Sequence, residues 1–335
     1  MRFIAVPLAK KGEVVPGAYY RGSGQRGYFA ETSMPTRPTL EIRRTSPPDH
    51  AGALELLFAH LGDEDRQRRR EEAAKNLGTR AGDTLWGAYR RGQLLSAALT
   101  STRAGGIADM WLPKVSALQP ANLVQPLAAS VVKELAQLGI RSAQVLLDRD
   151  HGVDADLLRE VGFEHLANLV YQVSLPGSFP TDQPNDGLEF VAYSPDEHAR
   201  FAELVQRTYV GSLDCSPGGG EFTAEDALAG YCDLEGSDSP RWWIATQSGQ
   251  DLGCLLLARH FPERSFELTY MGVVPEGRGC GLGLAIVRQA QWLAAMEGAS
   301  RLTLAVDADN APAIRVYGAA GFVVWDERAI FVRHM

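Results

Sequence analysis

Long hydrophobic runs are missing from this chain of 335 residues. Its apolar pieces, such as Cys254-Leu255-Leu256-Leu257-Ala258, fall far short of the ~20 residues that a membrane-spanning helix needs. A basic excess is missing too. Thirty-three Lys and Arg stand against forty-one Asp and Glu, and the resulting net charge of −8 opposes binding to a phosphate backbone while tolerating cationic substrates. Neither nucleic acid nor a membrane is therefore an expected partner. Cysteine is scarce: Cys215, Cys232, Cys254 and Cys280 share no C-x-x-C spacing and the seven histidines do not gather around them. This predicts no metal site and no disulfide framework, and fits a reducing, cytoplasmic compartment. The first seven residues, MRFIAVP, faintly resemble a secretion signal, but two lysines follow at once without a small-residue cleavage site, so no signal peptide is expected.

What remains is ordinary globular material, 45% hydrophobic and 22% charged, in a length that suits two domains. The chain contains itself twice. Residues 40–57 (LEIRRTSPPDHAGALELL) align without gaps on 188–205 (LEFVAYSPDEHARFAELV), with eight identities in eighteen positions where chance gives about one. Residues 85–99 match 242–256 through Trp86/Trp243, Ala88/Ala245, Gly92/Gly249, Gln93/Gln250, Leu95/Leu252 and Leu99/Leu256. Residues 139–163 match 298–322 through Asp148/Asp307, Asp150/Asp309 and the closing Gly-Phe. The offsets grow from 148 to 157 to 159, so order is kept while loops in the second copy lengthen. The division expected is an extension at 1–39, a first copy at 40–175, a linker rich in Pro, Gly and Asp at 176–187, and a second copy at 188–335.

In the second copy, strand 188–191 leads through Ser194-Pro195, an N-cap followed by proline, into a helix at 199–209. Thr223 is placed to cap a second helix; strands at 241–246, 252–259 and 265–274 follow. A glycine loop, a helix at 283–298, a strand at 301–307, a helix at 311–320 and a last strand complete the order β-α-α-β-β-β-α-β-α-β. The fold class predicted is α/β: two tandem units, each a mixed β-sheet flanked by helices.

Gly279, Gly281 and Gly283 precede a helix, where uncovered backbone N–H groups suit a pyrophosphate. A bare G-x-G-x-G is equally a tight turn. The dinucleotide reading wants these glycines after the first strand, whereas here they follow the fourth, and no Gly-Lys-Ser/Thr completes a nucleotide-binding loop.

The wider string V-x-P-x-x-R-G-x-G-x-G at 273–283, followed by Asn310-Ala311-Pro312-Ala313, Tyr317 and Gly321-Phe322, resembles the GNAT superfamily of acyl-CoA-dependent N-acyltransferases. The resemblance covers about 150 residues directly, and the duplication extends it to a tandem arrangement. It implies an acetyl-CoA-dependent N-acetyltransferase acting on a primary amine of a small molecule or peptide. Acetyl-CoA would be the co-substrate, with no metal. The backbone of Met271, Gly272 and Val273 would pair with the pantetheine arm, and the stretch Arg278, Gly279, Cys280, Gly281, Leu282, Gly283 and Leu284 would hold the pyrophosphate. Asn310 belongs to the same motif, and independently reads as the N-cap of the next helix.

Amine acylation requires a base for the ammonium, support for an oxyanion and a proton for the departing thiolate. By resemblance, Tyr317 is the proton donor and the Val273 N–H the oxyanion support. A phenol of pKa ~10 stays protonated at neutral pH and can serve a thiolate of pKa ~8.5. Outside the motif, the same tyrosine would read as core. Period-two alternation places Glu267, Thr269, Met271 and Val273 on one face of the strand, which makes Glu267 a candidate base; an edge glutamate, with a water chain doing the work, is the alternative. Tyr209, Asp214 and Glu221, in the longer loop between the first two helices, are candidates for recognising the acceptor. Cys215 and Trp242-Trp243 read as packing residues, and 66–72 (RQRRREE) as a solvated, ion-paired helix face.

The first copy lacks these features. At offset 159, Pro120 and Val124 replace Gly279 and Gly283, His151 replaces Asn310 and Leu158 replaces Tyr317. Proline has no N–H and valine crowds the backbone, so this copy is expected to scaffold or to wall the acceptor. Two other functions stay open on the residues: an acyl-CoA-binding regulatory protein without turnover, and transfer of a longer acyl or aminoacyl group.

Overall fold

The computed structural model describes residues 39–77, 82–148, 152–184, 187–214, 223–235, 241–260 and 264–335. Glu221, Cys215, His151, Asp150 and the extension up to residue 38 lie outside them. The first copy comprises β1 (Glu41–Arg44), α1 (His50–Leu57), α2 (Asp63–Leu77), β2 (Asp83–Arg90), β3 (Gln93–Arg103), β4 (Ile107–Trp111), α3 (Ala121–Gln137), β5 (Ser142–Asp148), α4 (Gly152–Glu160) and β6 (Glu164–Ser174). The second repeats the order: β7 (Glu189–Ala192), α5 (His198–Thr208), α6 (Ala224–Glu235), β8 (Arg241–Gln247), β9 (Gln250–His260), β10 (Ser265–Val273), α7 (Leu282–Met296), β11 (Arg301–Asp307), α8 (Ala311–Ala319) and β12 (Val323–His334). Among the described residues, no helix is long and apolar enough to cross a membrane.

Local chemistry explains most of these boundaries. The β2–β3 and β8–β9 hairpins turn through Arg91-Gly92 and Ser248-Gly249, with φ of 52° and 78° and of 52° and 75°. Two successive positive φ values match the twist of the flanking strands, and glycine takes the second position without strain. Thr223 Oγ1 accepts from the Asp226 N–H at 3.2 Å and so caps α6 as expected. Ser194 behaves differently from expectation: Pro195–Glu197 form a 3₁₀ turn before α5, and the Ser194 side chain makes no capping bond.

The two copies do not keep separate sheets. All twelve strands form one, in the order β1-β2-β3-β4-β5-β12-β6-β11-β10-β9-β8-β7. Only β4–β5 and β10–β11 are parallel; every other neighbour is antiparallel. Each copy's last strand therefore lies against the fifth strand of the other: β12 on β5, from Arg328↔Asp148 to His334↔Ser142, and β6 on β11, from Leu302↔Ser174 to Asp307↔Leu169. At the centre β6 and β12 pair with each other, with Tyr171, Leu169, Ile330 and Val332 forming a buried cluster along the seam. In isolation either copy would expose a long apolar strand edge; the exchange covers both.

Helices line both faces. In the second copy, α7 and α8 pack on one side around Phe266, Leu268, Ile286 and Val287, and α5 and α6 on the other around Phe201, Leu228, Trp242 and Leu256. Trp242 stacks on Phe201 with centroids 5.4 Å apart, and Trp243 joins the α7 side, in keeping with the packing role read for this pair.

Candidate active site

The site is made by a failure of pairing. β10 and β11 run parallel over only three rungs, Ser265↔Arg301, Phe266↔Leu302 and Glu267↔Thr303. Beyond them the strands diverge, so the edge of β10 from Leu268 to Val273 faces a split while its other edge stays bonded to β9. Backbone polar groups along such an edge need partners, and an extended ligand chain can supply them as an added strand would.

At the outer end of the split stands the start of α7. Gly279 and Gly281 have φ of 79° and 85°, a region that side chains with a Cβ rarely adopt, and Gly281 is the N-cap without a side-chain bond. Leu284 and Ala285 are the first helix amides to find an acceptor, both at the Gly281 carbonyl. Among the described residues, the N–H groups of Gly279, Cys280, Gly281, Leu282 and Gly283 donate to no backbone carbonyl. A Cβ on Gly279 or Gly281 would meet nothing within 4 Å, so the space before these amides is open. Five unpaired donors at the positive end of a fifteen-residue helix fit a pyrophosphate. Gly283 differs: its Cβ would touch Val316 at 3.7 Å, so it serves the approach of α7 to α8.

Arg278 fixes the loop. Its guanidinium donates to the carbonyls of Val273 at 3.0 Å, Gly211 at 3.1 Å and Thr208 at 2.9 Å, tying the β10–α7 connection to the end of α5. These three bonds occupy its fork, so its part in the cradle is to set the loop's shape. Gly272 is required at the same junction, because a Cβ there would stand 2.5 Å from Thr208 Oγ1. Cys280 is exposed in the loop.

Tyr317, on α8, is buried in the same apolar cluster as Met271 and Val273, tilted against Phe322. Its hydroxyl bonds to no side chain among the described residues. Burial pushes its pKa above the ordinary phenol value, and the nearby Asp214 carboxylate pushes it further. Asn310 caps α8, its Oδ1 accepting from the Ala313 N–H at 3.2 Å. Its side chain also lies near Asp214, a residue at the exposed rim whose carboxyl is folded in against the end of β11. There Asp214 Oδ1 accepts from the Asp307 N–H at 3.5 Å. Desolvation raises the Asp214 pKa and the Asp307 charge adds to this, opposed by the Asp307 N–H and the Asn310 side chain.

Glu267 requires a correction. The alternation that would align it with Thr269, Met271 and Val273 is broken by a bulge: Leu268 faces Leu257, yet Tyr270 faces Leu256. Met271 and Val273 pack on the α7 and α8 side, whereas Glu267 shares the α5 and α6 face with Tyr270 and Gly272. It sits at the last rung before the split, buried, with Oε2 2.9 Å from His260 Nε2. The bulge has no signature in the sequence, since Thr269 is an ordinary strand residue.

Sequence reasoning also missed an aromatic chamber on that face. Tyr231 stacks on Tyr270 with centroids 6.1 Å apart, Tyr209 meets the same ring edge-on at 5.8 Å, and the Tyr270 hydroxyl lies 2.7 Å from Thr208 Oγ1. Of these only Tyr209 stood out, because it borders the lengthened loop. Tyr231 and Tyr270 look like core residues in a linear pattern.

Comparison with known proteins agrees with this geometry. Residues 200–322 match the acetyltransferase (GNAT) family model. A mycothiol acetyltransferase of Amycolatopsis mediterranei is 26% identical over 218 residues, 61% of this chain and 70% of the relative. Other curated proteins of that name match over between 28% and 68% of their own length. Among solved structures, a GCN5-related N-acetyltransferase from Sphaerobacter thermophilus superposes with a TM-score of 0.61 at 17% identity, covering 90% of this chain and 97% of that one. A tandem GNAT protein from the clavulanic acid biosynthesis pathway gives 0.56 at 15%, covering 88% and 98%. The cradle, the split and the α8 tyrosine all lie inside the stretch of the second copy that matches the acetyltransferase (GNAT) family model.

Proposed function

We propose that the protein transfers an acetyl group from acetyl-CoA to the primary amine of a small molecule, through one site in the second copy. The observation that carries this reading is that one split joins an open anion cradle, an unpaired strand edge and a buried phenol. Acetyl-CoA supplies the activated acetyl thioester. The amides of Gly279 to Gly283 hold its pyrophosphate, the free edge of Met271, Gly272 and Val273 orients the pantetheine arm, and the Val273 N–H supports the carbonyl oxygen. Tyr317 holds a proton on its hydroxyl and delivers it to the departing sulfur. Its raised pKa keeps that proton in place across the physiological range.

The acceptor enters over the α5 and α6 face. Asp214 and Glu267 supply negative charge, and the three tyrosines present ring faces and edges suited to an ammonium carried on a compact body. Glu267 with His260 forms the route for the ammonium proton. The relatives' name makes a mycothiol-type amine the first acceptor to try. Release of free thiol from acetyl-CoA in a panel of amines tests the proposal, with Tyr317→Phe as control. Tight cofactor binding with no turnover on any amine would instead identify a binding protein.

A further inference from the structure

The first copy has a split of its own. β4 and β5 pair over Ile107↔Ser142, Ala108↔Ala143 and Asp109↔Gln144 and then part, as β10 and β11 do. The space between them is not filled. It is a cavity of about 510 Å³, within the range of small-molecule sites, walled by α2, β4, β5 and α4 and closed by Arg328 of β12, a strand of the second copy.

Its lining is unusual for a scaffold. Arg69, from the run that the sequence suggested was solvated, points into the cavity with only 16% of its side chain exposed. Its one ion pair among the described residues is a long contact to Glu72 at 3.8 Å. Arg328 shares the cavity, its Nε bonded to Asp326 at 2.9 Å and its Nη1 only 3.9 Å from Asp148. Burial lowers the pKa of Arg69; Glu72 opposes this, and the charge of Arg328 adds to the lowering. A guanidinium so poorly matched and so little hydrated favours an added anion.

The neighbouring acids do not serve. Asp65 is held by Arg68, Asp109 by Arg103 and Gln144, and Asp154 by the Val115 N–H. Six acids stand against five Lys and Arg side chains around the wall, so the cavity would repel a pyrophosphate, and its capacity for one negative charge rests on the Arg69 and Arg328 guanidinium groups. The start of α3 gives no comparable anion cradle, since Pro120 before it has no N–H and the Gln119 N–H donates to Ser116 Oγ. Leu99, Met110, Trp111 and Leu157 supply an apolar wall, and Leu158 takes the place of the catalytic tyrosine.

We propose that the split of the first copy binds a small monocarboxylate, its head group between Arg69 and Arg328 and its apolar body along Leu99, Met110 and Trp111. Because Arg328 comes from the exchanged strand, occupancy links the two copies through β12.

The test uses the full chain saturated with acetyl-CoA and a series of straight-chain acids from butanoate to decanoate, each paired with its primary amide. Calorimetry follows binding, supported by tryptophan fluorescence, to which Trp111 contributes as one of six tryptophans. At least one acid should bind at one equivalent per chain and about tenfold more tightly than its amide, a charge-assisted contact being the difference. Arg69→Gln should remove that preference. If that variant does not fold, Arg69→Lys, which keeps the charge without the planar fork, should weaken the acid about threefold or more. Equal affinity for acids and amides, no binding by any acid, unchanged affinity in the folded Arg69 variant, or displacement of the acid by further coenzyme A would each overturn the proposal.

Discussion

The two splits are the same construction put to different ends. Both open after three parallel rungs with an acid at the last one, Asp109 in the first copy and Glu267 in the second. Asp109 is fastened to Arg103 and Gln144, while Glu267 has a histidine partner that can take up or give back a proton. The helices that follow end at equivalent positions, Gln137 and Met296, yet at the offset of 159 α3 begins two residues earlier than α7. Those two residues occupy what is, in the second copy, the loop of unpaired amides. Val124 packs with Leu157 in the first core, where Gly283 and Val316 bring α7 close to α8 in the second. A handful of side-chain volumes and one half-turn of helix thus separate a cofactor cradle from a closed wall.

The largest test of the comparison is to separate the copies. The seam gives each copy a strand that belongs to the other, so a fragment of residues 188–335 would lose β6 from between β11 and β12 and expose the edges of both. We expect it to aggregate or to lack a cooperative unfolding transition, although every proposed catalytic residue remains. Co-expression with residues 1–187 should restore a soluble complex. A fragment that melts cooperatively alone, followed by circular dichroism, would show that the exchange is dispensable.

Next comes the count of cofactor sites. Titration with a non-hydrolysable acetyl-CoA analogue should give close to one equivalent per chain, since the glycine loop before α7 has no counterpart before α3. Two equivalents of similar affinity would mean that the first copy binds coenzyme A without glycines.

Within the second copy, Tyr317→Phe should lower kcat by ~10²-fold with cofactor affinity kept, the usual effect of a positioned proton donor. Because burial raises the Tyr317 pKa, the active protonated form should persist above pH 10, and the alkaline fall in kcat should not appear at the ordinary phenol value. A fall centred near pH 10 that Tyr317→Phe abolishes would contradict the burial argument. Leu158→Tyr should add no turnover. For the cradle, Gly281→Val places a Cβ in open space but forces a branched residue to φ 85°, and it should weaken cofactor binding about tenfold while the fold survives. Gly283→Val should act differently, through Val316 and α8, and reach Tyr317 and kcat.

Much of this molecule is legible in one dimension. The repeat is visible because strand and helix patterns tolerate few substitutions at buried positions such as Ala88 and Ala245, and α7, β11 and α8 fall within about two residues of their predicted bounds. The glycine loop is legible because positive φ at Gly279 and Gly281 demands that residue. Three features are not. Strand exchange leaves no trace, because β6 and β12 carry similar alternating patterns and either could pair at either place. The bulge at Thr269 is set by the ladder to β9, not by its own residue type. Arg69 reads as solvated, since the two faces of α2 differ only through what packs against them, and α2's partners include a strand 250 or so residues away.

The smallest expected effect concerns Glu267, and it bears on how the second split came to differ from the first. Buried beside His260 at 2.9 Å, the carboxylate can relay a proton only if the pair takes one from the acceptor ammonium. Glu267→Gln keeps the shape and one acceptor oxygen but cannot be protonated. The rate should fall several-fold, most at low pH where the amine is fully charged, and the ratio to wild type should approach unity as pH rises and free amine becomes available. His260→Gln should show the same trend more weakly, because it removes the partner and leaves the carboxylate. A ratio that is flat across pH would assign the proton to a water chain. Glu267 would then be the structural equivalent of Asp109, an acid holding the last rung before the strands part, and the two splits would differ in their cradles and tyrosine alone.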